Sequence, residues 1–306
     1  MQDYIFVTIT SLCIAITFVF NKLYQVKIVN KSIHLILFPL FTSTIAAFLF
    51  LCINGFKLQT NAFVLTCASV YAVCLSSYTI IGMIAMKYGK LSIYTIFLMI
   101  GGMLLPYFYG VIFLEEEITV CRVVGMILLI ASLILNVGRK EDGKKKNKKI
   151  FWVLCILVFF LNGGTSIASK VHQISPNATS TINFMIWVRI IKMCVLSLVA
   201  IVCLLMGLNK KNKEVGAVGI DKTKPKFNIK LFIIIIACVV LLESVNIFCS
   251  LNASKTMPAM VQFPFTTGLS TIATAVMARI FFKEKITKQS LISLILMLVS
   301  TILFIF

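Results

Sequence analysis

Charge is scarce in this chain, and negative charge is the scarcest. Asp, Glu, Lys and Arg make up 13% of the 306 residues, as 10 acidic and 29 basic side chains, and there are only 2 histidines. Soluble domains carry about 25% charged residues. The constellations that carry chemistry are missing as well. There is no HExxH, GxSxG, Gly-rich phosphate cradle or Cys/His metal spacing. An intramembrane enzyme would need a nucleophile–base pair, a carboxylate dyad or a metal cluster. Here His34 and His172 fall near the ends of apolar runs, and Glu243 is the one acid deep inside such a run. The chain therefore does not read as an enzyme, and no cofactor or metal is expected. Without a nucleotide-binding motif it does not read as a self-contained ATP-driven pump. Rings of like charge and a repeated filter sequence, the marks of a channel, are also lacking.

Apolar sequence is what the chain has in abundance. Hydrophobic residues make up 60% of it, and the mean hydropathy is +1.03. A soluble core of this length cannot hide that much apolar surface, whereas lipid solvates it, at about 20 apolar residues per crossing. Solid apolar runs exclude a membrane β-barrel, whose strands would alternate over about ten residues. The expectation is an all-α polytopic protein of about ten spans. They fall at residues 4–24, 33–53, 61–86, 91–114, 119–137, 150–169, 179–208, 231–254, 257–282 and 289–306. The first run has no basic segment before it and no small-residue cleavage site after it, so it reads as a span rather than a signal peptide. The ten cysteines lie almost entirely in these runs, Cys13, Cys74, Cys155 and Cys238 among them, and read as small apolar residues rather than disulfides or metal ligands.

The net charge of +19 would point to nucleic acid in a soluble protein. Here it sits in short loops, so the membrane surface is the expected partner and nucleic acid is not. Lys57, Arg122, Lys170 and Lys255 fall on one side of the spans, and Arg189 and Lys192 fall inside one. Every other Lys and Arg falls on the opposite side, most densely in 138–149 and 209–230. Cytoplasmic loops carry such excess, which places those loops inside a plasma membrane and both termini outside.

The chain also repeats itself. A shift of 168 residues matches Phe113 with Phe281, Glu116 with Glu284, Ile118 with Ile286 and Thr119 with Thr287. The same shift matches Lys87 with Lys255, Phe97 with Phe265 and Ser132 with Ser300. A shift of 148 matches Thr17 with Thr165, Lys22 with Lys170 and Gln25 with Gln173. This divides the chain into a first five-helix unit (1–137), a basic linker (138–149) and a second five-helix unit (150–306). An odd number of spans per unit inverts the second relative to the first, a frequent construction in secondary transporters. The loops agree: Glu115, Glu116 and Glu117 on one side answer Lys283, Glu284 and Lys285 on the other.

In each unit a helix, a short Glu-x-Ile-Thr loop and a last helix follow one another. Glu116, Ile118 and Thr119 with Gly125, then Glu284, Ile286 and Thr287, together with Pro106 in the fourth helix, resemble the EamA-like members of the drug/metabolite transporter superfamily. Two departures are Ser293, which stands opposite Gly125, and Phe41, which stands opposite Arg189. The resemblance implies a solute path between the halves, with the fifth and tenth helices peripheral. It implies no particular substrate.

Ionisable residues inside a span are costly and normally face a bundle interior or an aqueous space. Glu243 shares a helix face with Asn246 and Ser250, and Arg189 and Lys192 sit three apart on the seventh helix. In the functional reading Glu243 serves a proton or a cation, while Arg189 and Lys192 hold a substrate carboxylate or phosphate. In the structural reading Glu243 and Arg189 form a pair that only fixes packing. Gln262 opens a polar face with Thr266, Ser270 and Thr274, which either lines the path or lets helices pack closely. Its repeat partner is Tyr94. Gly101 and Gly102 ahead of Pro106 mark the fourth helix as the hinge candidate. These features lead us to expect a secondary transporter for a small metabolite bearing a carboxylate, such as an amino acid. An exporter of lipophilic cations, served by Glu243, is the alternative. Nothing in the sequence assigns an oligomeric state.

Overall fold

A computed structural model of the chain describes residues 2–28, 33–85, 88, 91–137, 148–205, 229–282 and 288–306. Among these residues there are ten helices and no strands. They are α1 Gln2–Lys27, α2 Ile33–Ile53, α3 Ala62–Ala85, α4 Leu91–Phe113, α5 Val120–Val137, α6 Lys148–Ile174, α7 Thr181–Leu205, α8 Ile229–Thr256, α9 Ala259–Phe282 and α10 Lys288–Leu303. Eight are long and apolar enough to cross a membrane. The apolar stretches of α5 and α10, Val120–Leu135 and Lys288–Leu303, are shorter. At 1.5 Å per residue such a 16-residue stretch is about 24 Å long, about 6 Å short of a typical hydrocarbon thickness of about 30 Å. The expected boundaries hold to within a few residues, the largest difference being α6, which runs on to Ile174 rather than ending at 169. Lys31, Lys87, Lys90, Glu284, Ile286, Thr287 and most of the two basic segments lie outside the described residues.

The outer faces show why lipid is the solvent. Phe48, Ile112, Phe113, Val120, Ile127, Phe160 and Leu198 are exposed on helices whose other faces are buried. Water would not tolerate so continuous an apolar surface.

Each helix packs chiefly on helices from the other half of the chain. α1 lies against α8 and α9, α6 against α3 and α4, α2 against α7, α4 against α9 and α5 against α10. Small residues make the α4–α6 crossing close. A Cβ on Gly101 would come within 2.1 Å of the Phe159 carbonyl oxygen. Asn162 Nδ2 donates to the Leu98 carbonyl at 2.7 Å. Pro106 has no N–H to offer the Gly102 carbonyl one turn back, and Ser166 Oγ of α6 donates to it instead, at 3.0 Å. Gly101 and Gly102, the glycines of the hinge candidate, lie in this tight helix crossing.

One end of the bundle carries the α2–α3, α4–α5, α6–α7 and α8–α9 connections, and polar side chains knit it together. The orphan amides of the helix starts are taken by Asn61 for α3, Thr119 for α5 and Ser180 for α7, each accepting from the backbone three residues on. Gln59 in the α2–α3 turn donates its N–H to Asn183 Oδ1 of α7 at 3.1 Å, and its carbonyl accepts from Trp187 Nε1 at 3.1 Å. We call this the Glu116 end and its opposite the basic end.

Candidate functional site

Arg189 of α7 and Glu243 of α8 meet in the middle of two apolar helices. Nη1 donates to Oε2 at 2.9 Å, with the Arg189 side chain 1% and the Glu243 side chain 25% exposed. Lys192, one turn along α7, is buried and lies within electrostatic reach of both. Tyr71 of α3 lies near Arg189 and Glu243, and Tyr78 near Glu243. The cluster therefore joins α3, α7 and α8 and holds two cations against one carboxylate. Two more guanidinium nitrogens of Arg189, Nε and Nη2, are buried and make no hydrogen bond to protein. Burial of a pair this deep is costly unless further bonds compensate. The free edge of Arg189 is thus the uncompensated part of the cluster.

Glu243, Tyr71 and Tyr78 each keep some accessible surface, and Glu243 keeps the most of the ion pair, 25% against 1% for Arg189. Successive residues on a helix point about 100° apart, so a run of partly exposed residues has no sealed face. Such runs occupy 77–81 of α3, 95–100 of α4 and 272–275 of α9. Residues 259–265 of α9, by contrast, are buried without a break.

Of the six residues expected at the site, the structure brings Arg189, Lys192 and Glu243 together. Asn246 is partly exposed on the Glu243 face of α8, and its backbone carbonyl accepts from Thr10 Oγ1 of α1 at 3.4 Å. Gln262 and Tyr94 go elsewhere. Gln262 is 1% exposed, donates to the Ser250 carbonyl and accepts from Ser254 Oγ, tying α9 to the last turns of α8. Tyr94 Oη donates to the Tyr78 carbonyl at 2.9 Å, tying α4 to α3 in the corresponding way. The hydroxyls of Thr266, Thr271 and Thr274 donate to carbonyls of their own helix. Tyr71 and Tyr78 were not legible as site residues, because an isolated Tyr in an apolar run has no spacing signal.

No family model matches this chain, and no curated protein sequence does either. Solved structures similar in fold include a crystal structure of a protein that matches over 99% of this chain and 94% of its own, with a TM-score of 0.73 and 10% sequence identity. That likeness is one of fold alone.

Proposed function

We propose that this chain is a secondary transporter of the EamA-like kind, which moves a small carboxylate-bearing metabolite by alternating access between two inverted halves. The observation that carries this reading is the buried cluster of Arg189, Lys192 and Glu243 in mid-span, with two guanidinium nitrogens of Arg189 that no protein group satisfies. A structural anchor has no use for such a cluster, and uncompensated charge in a span normally marks a solute or ion path. Inversion is supported by reciprocal contacts between α5 and α10. Ser293 Oγ donates to the Ser132 carbonyl at 2.7 Å and Ser300 Oγ to the Gly125 carbonyl at 2.6 Å. Under the 168-residue shift these two pairs are each other's images, as a two-fold axis requires. Exchanging helices five apart likewise converts the α1–α9 contact into α6–α4 and the α1–α8 contact into α6–α3. In this reading all ten helices span a plasma membrane, the basic end faces the cytoplasm and both termini lie outside.

The charge excess of Arg189 and Lys192 over Glu243 favours a solute with a negative group, received by the uncommitted edge of Arg189. One observation favours the second reading, an exporter of lipophilic cations: of the three charged side chains, the Glu243 carboxylate is the most accessible. A thermal-shift screen of the purified protein separates the two. Carboxylate solutes should stabilise the wild type and leave Arg189→Gln unmoved. Stabilisation by cations alone would overturn the carboxylate reading.

A further inference from the structure

The charges in the middle of the bundle do not cancel. Arg189 and Glu243 neutralise one another through their 2.9 Å contact. Lys192, three residues on along α7 and 6% exposed, lies within electrostatic reach of Glu243, and its ammonium makes no hydrogen bond to protein among the described residues. Tyr71 and Tyr78 also lie near Glu243, but phenols are neutral at pH 7 and add nothing to the count. Every other described Asp, Glu, Lys and Arg falls in a loop or in the outer two turns of its helix. One positive charge is therefore left over at a depth where an unanswered charge is costly. The unmet nitrogens of Arg189, Nε and Nη2, share one edge of the planar guanidinium, the parallel fork that a carboxylate fits.

We infer that this site selects a solute with one negative charge and no ammonium group, an organic monocarboxylate rather than a zwitterionic amino acid, and that Lys192 is the residue that sets the selection. With a monocarboxylate on the free fork of Arg189, two cations answer two carboxylates and the cluster is neutral. A zwitterion brings no net charge, so the surplus stays and the new ammonium is set against Lys192. Glu243 cannot receive that ammonium without giving up Arg189. A dianion overshoots by one charge in the opposite sense. The penalty is large enough to measure: at an effective dielectric of about 20, unit charges as far apart as about 12 Å still change an affinity by a factor of about ten. The inference rests on the carboxylate reading proposed above and narrows its solute to one charge class.

Propanoate, alanine and malonate share a three-carbon skeleton and carry one negative charge, no net charge and two negative charges at neutral pH. Hexanoate, norleucine and adipate repeat the series on six carbons. Each is titrated against purified protein in detergent at fixed ionic strength, and the thermal shift gives an apparent affinity. In the wild type the monocarboxylate of at least one series should bind about tenfold or more tightly than its amino acid and its diacid, and Arg189→Gln should abolish the shift. Lys192→Met should reverse the order and favour the amino acid over the monocarboxylate. Lys192→Arg, which keeps the charge, should preserve the wild-type order. Should Lys192→Met fail to fold, the wild-type order alone decides. An amino acid or diacid that binds as tightly as the monocarboxylate, through Arg189, overturns the inference and leaves the carboxylate reading standing, and so does an unchanged order in Lys192→Met. Shifts from none of the six solutes, or shifts that Arg189→Gln retains, defeat the carboxylate reading and the inference with it.

Discussion

Removing the Glu243 carboxylate should cost more stability than removing the Arg189 guanidinium, although each breaks the same 2.9 Å contact. Glu243→Gln leaves Arg189 in a site where its side chain is 1% exposed, with Nε and Nη2 already lacking protein partners. Stranding one member of a buried pair costs about 3–5 kcal/mol. Arg189→Gln strands a carboxylate that is 25% exposed and still has Lys192 within reach. Water and the lysine compensate there, so the loss falls to about 1–3 kcal/mol, that of an unsatisfied polar group. The double change Arg189→Met with Glu243→Leu removes both charges and should return to within about 1 kcal/mol of the parent or exceed it, as apolar replacements of buried pairs do. Equilibrium unfolding of purified protein in mixed micelles, run as a double-mutant cycle, measures all three. Equal losses in the two single variants, or no loss in Glu243→Gln, would refute the reasoning. The double variant also divides the two roles of the pair. Restored stability with flux retained makes it a packing device, and restored stability with flux abolished makes it part of the transport site.

Three further outcomes follow from the packing. Gly101→Ala should destabilise by about 1–3 kcal/mol, because the new methyl meets backbone at Phe159, whereas Gly164→Ala meets only the Cys74 sulfur at 3.3 Å and should cost much less in the same unfolding assay. Ser166→Ala strips the Gly102 carbonyl of its donor at a cost of about 1 kcal/mol; adding Pro106→Ala supplies an intrahelical N–H and should recover part of that loss. Paired cysteines at Ser132 and Ser293, and at Gly125 and Ser300, should both cross-link in a cysteine-free background, and cross-linking at only one pair would contradict the reciprocal α5–α10 interface.

Much of the fold was legible because lipid demands a signal that composition carries openly. A long apolar run between charged loops is a helix in the bilayer and little else, so the positions of α1 to α10 followed from hydropathy. The Arg189–Glu243 contact was legible for a related reason: charges are so rare in these runs that the candidates nearly pair themselves. Gln262 and Tyr94 were not legible as braces. A polar side chain in a span reads the same whether it faces a solute or a neighbouring backbone carbonyl, and only the register of α8 against α9 and of α3 against α4 decides. The Glu-x-Ile-Thr loop was recognised as a motif without its physics. Thr119 caps its own helix, while Glu116 reaches α9, more than 140 positions away in the chain. No local pattern encodes that reach.

The most direct test of the whole account is solute counterflow in liposomes containing only this protein, with the stabilising carboxylate solute inside and its labelled form outside. The account predicts saturable exchange without ATP in the wild type, lost in Arg189→Gln. Exchange that Arg189→Gln leaves intact, or no protein-dependent exchange of any solute that binds, would contradict it.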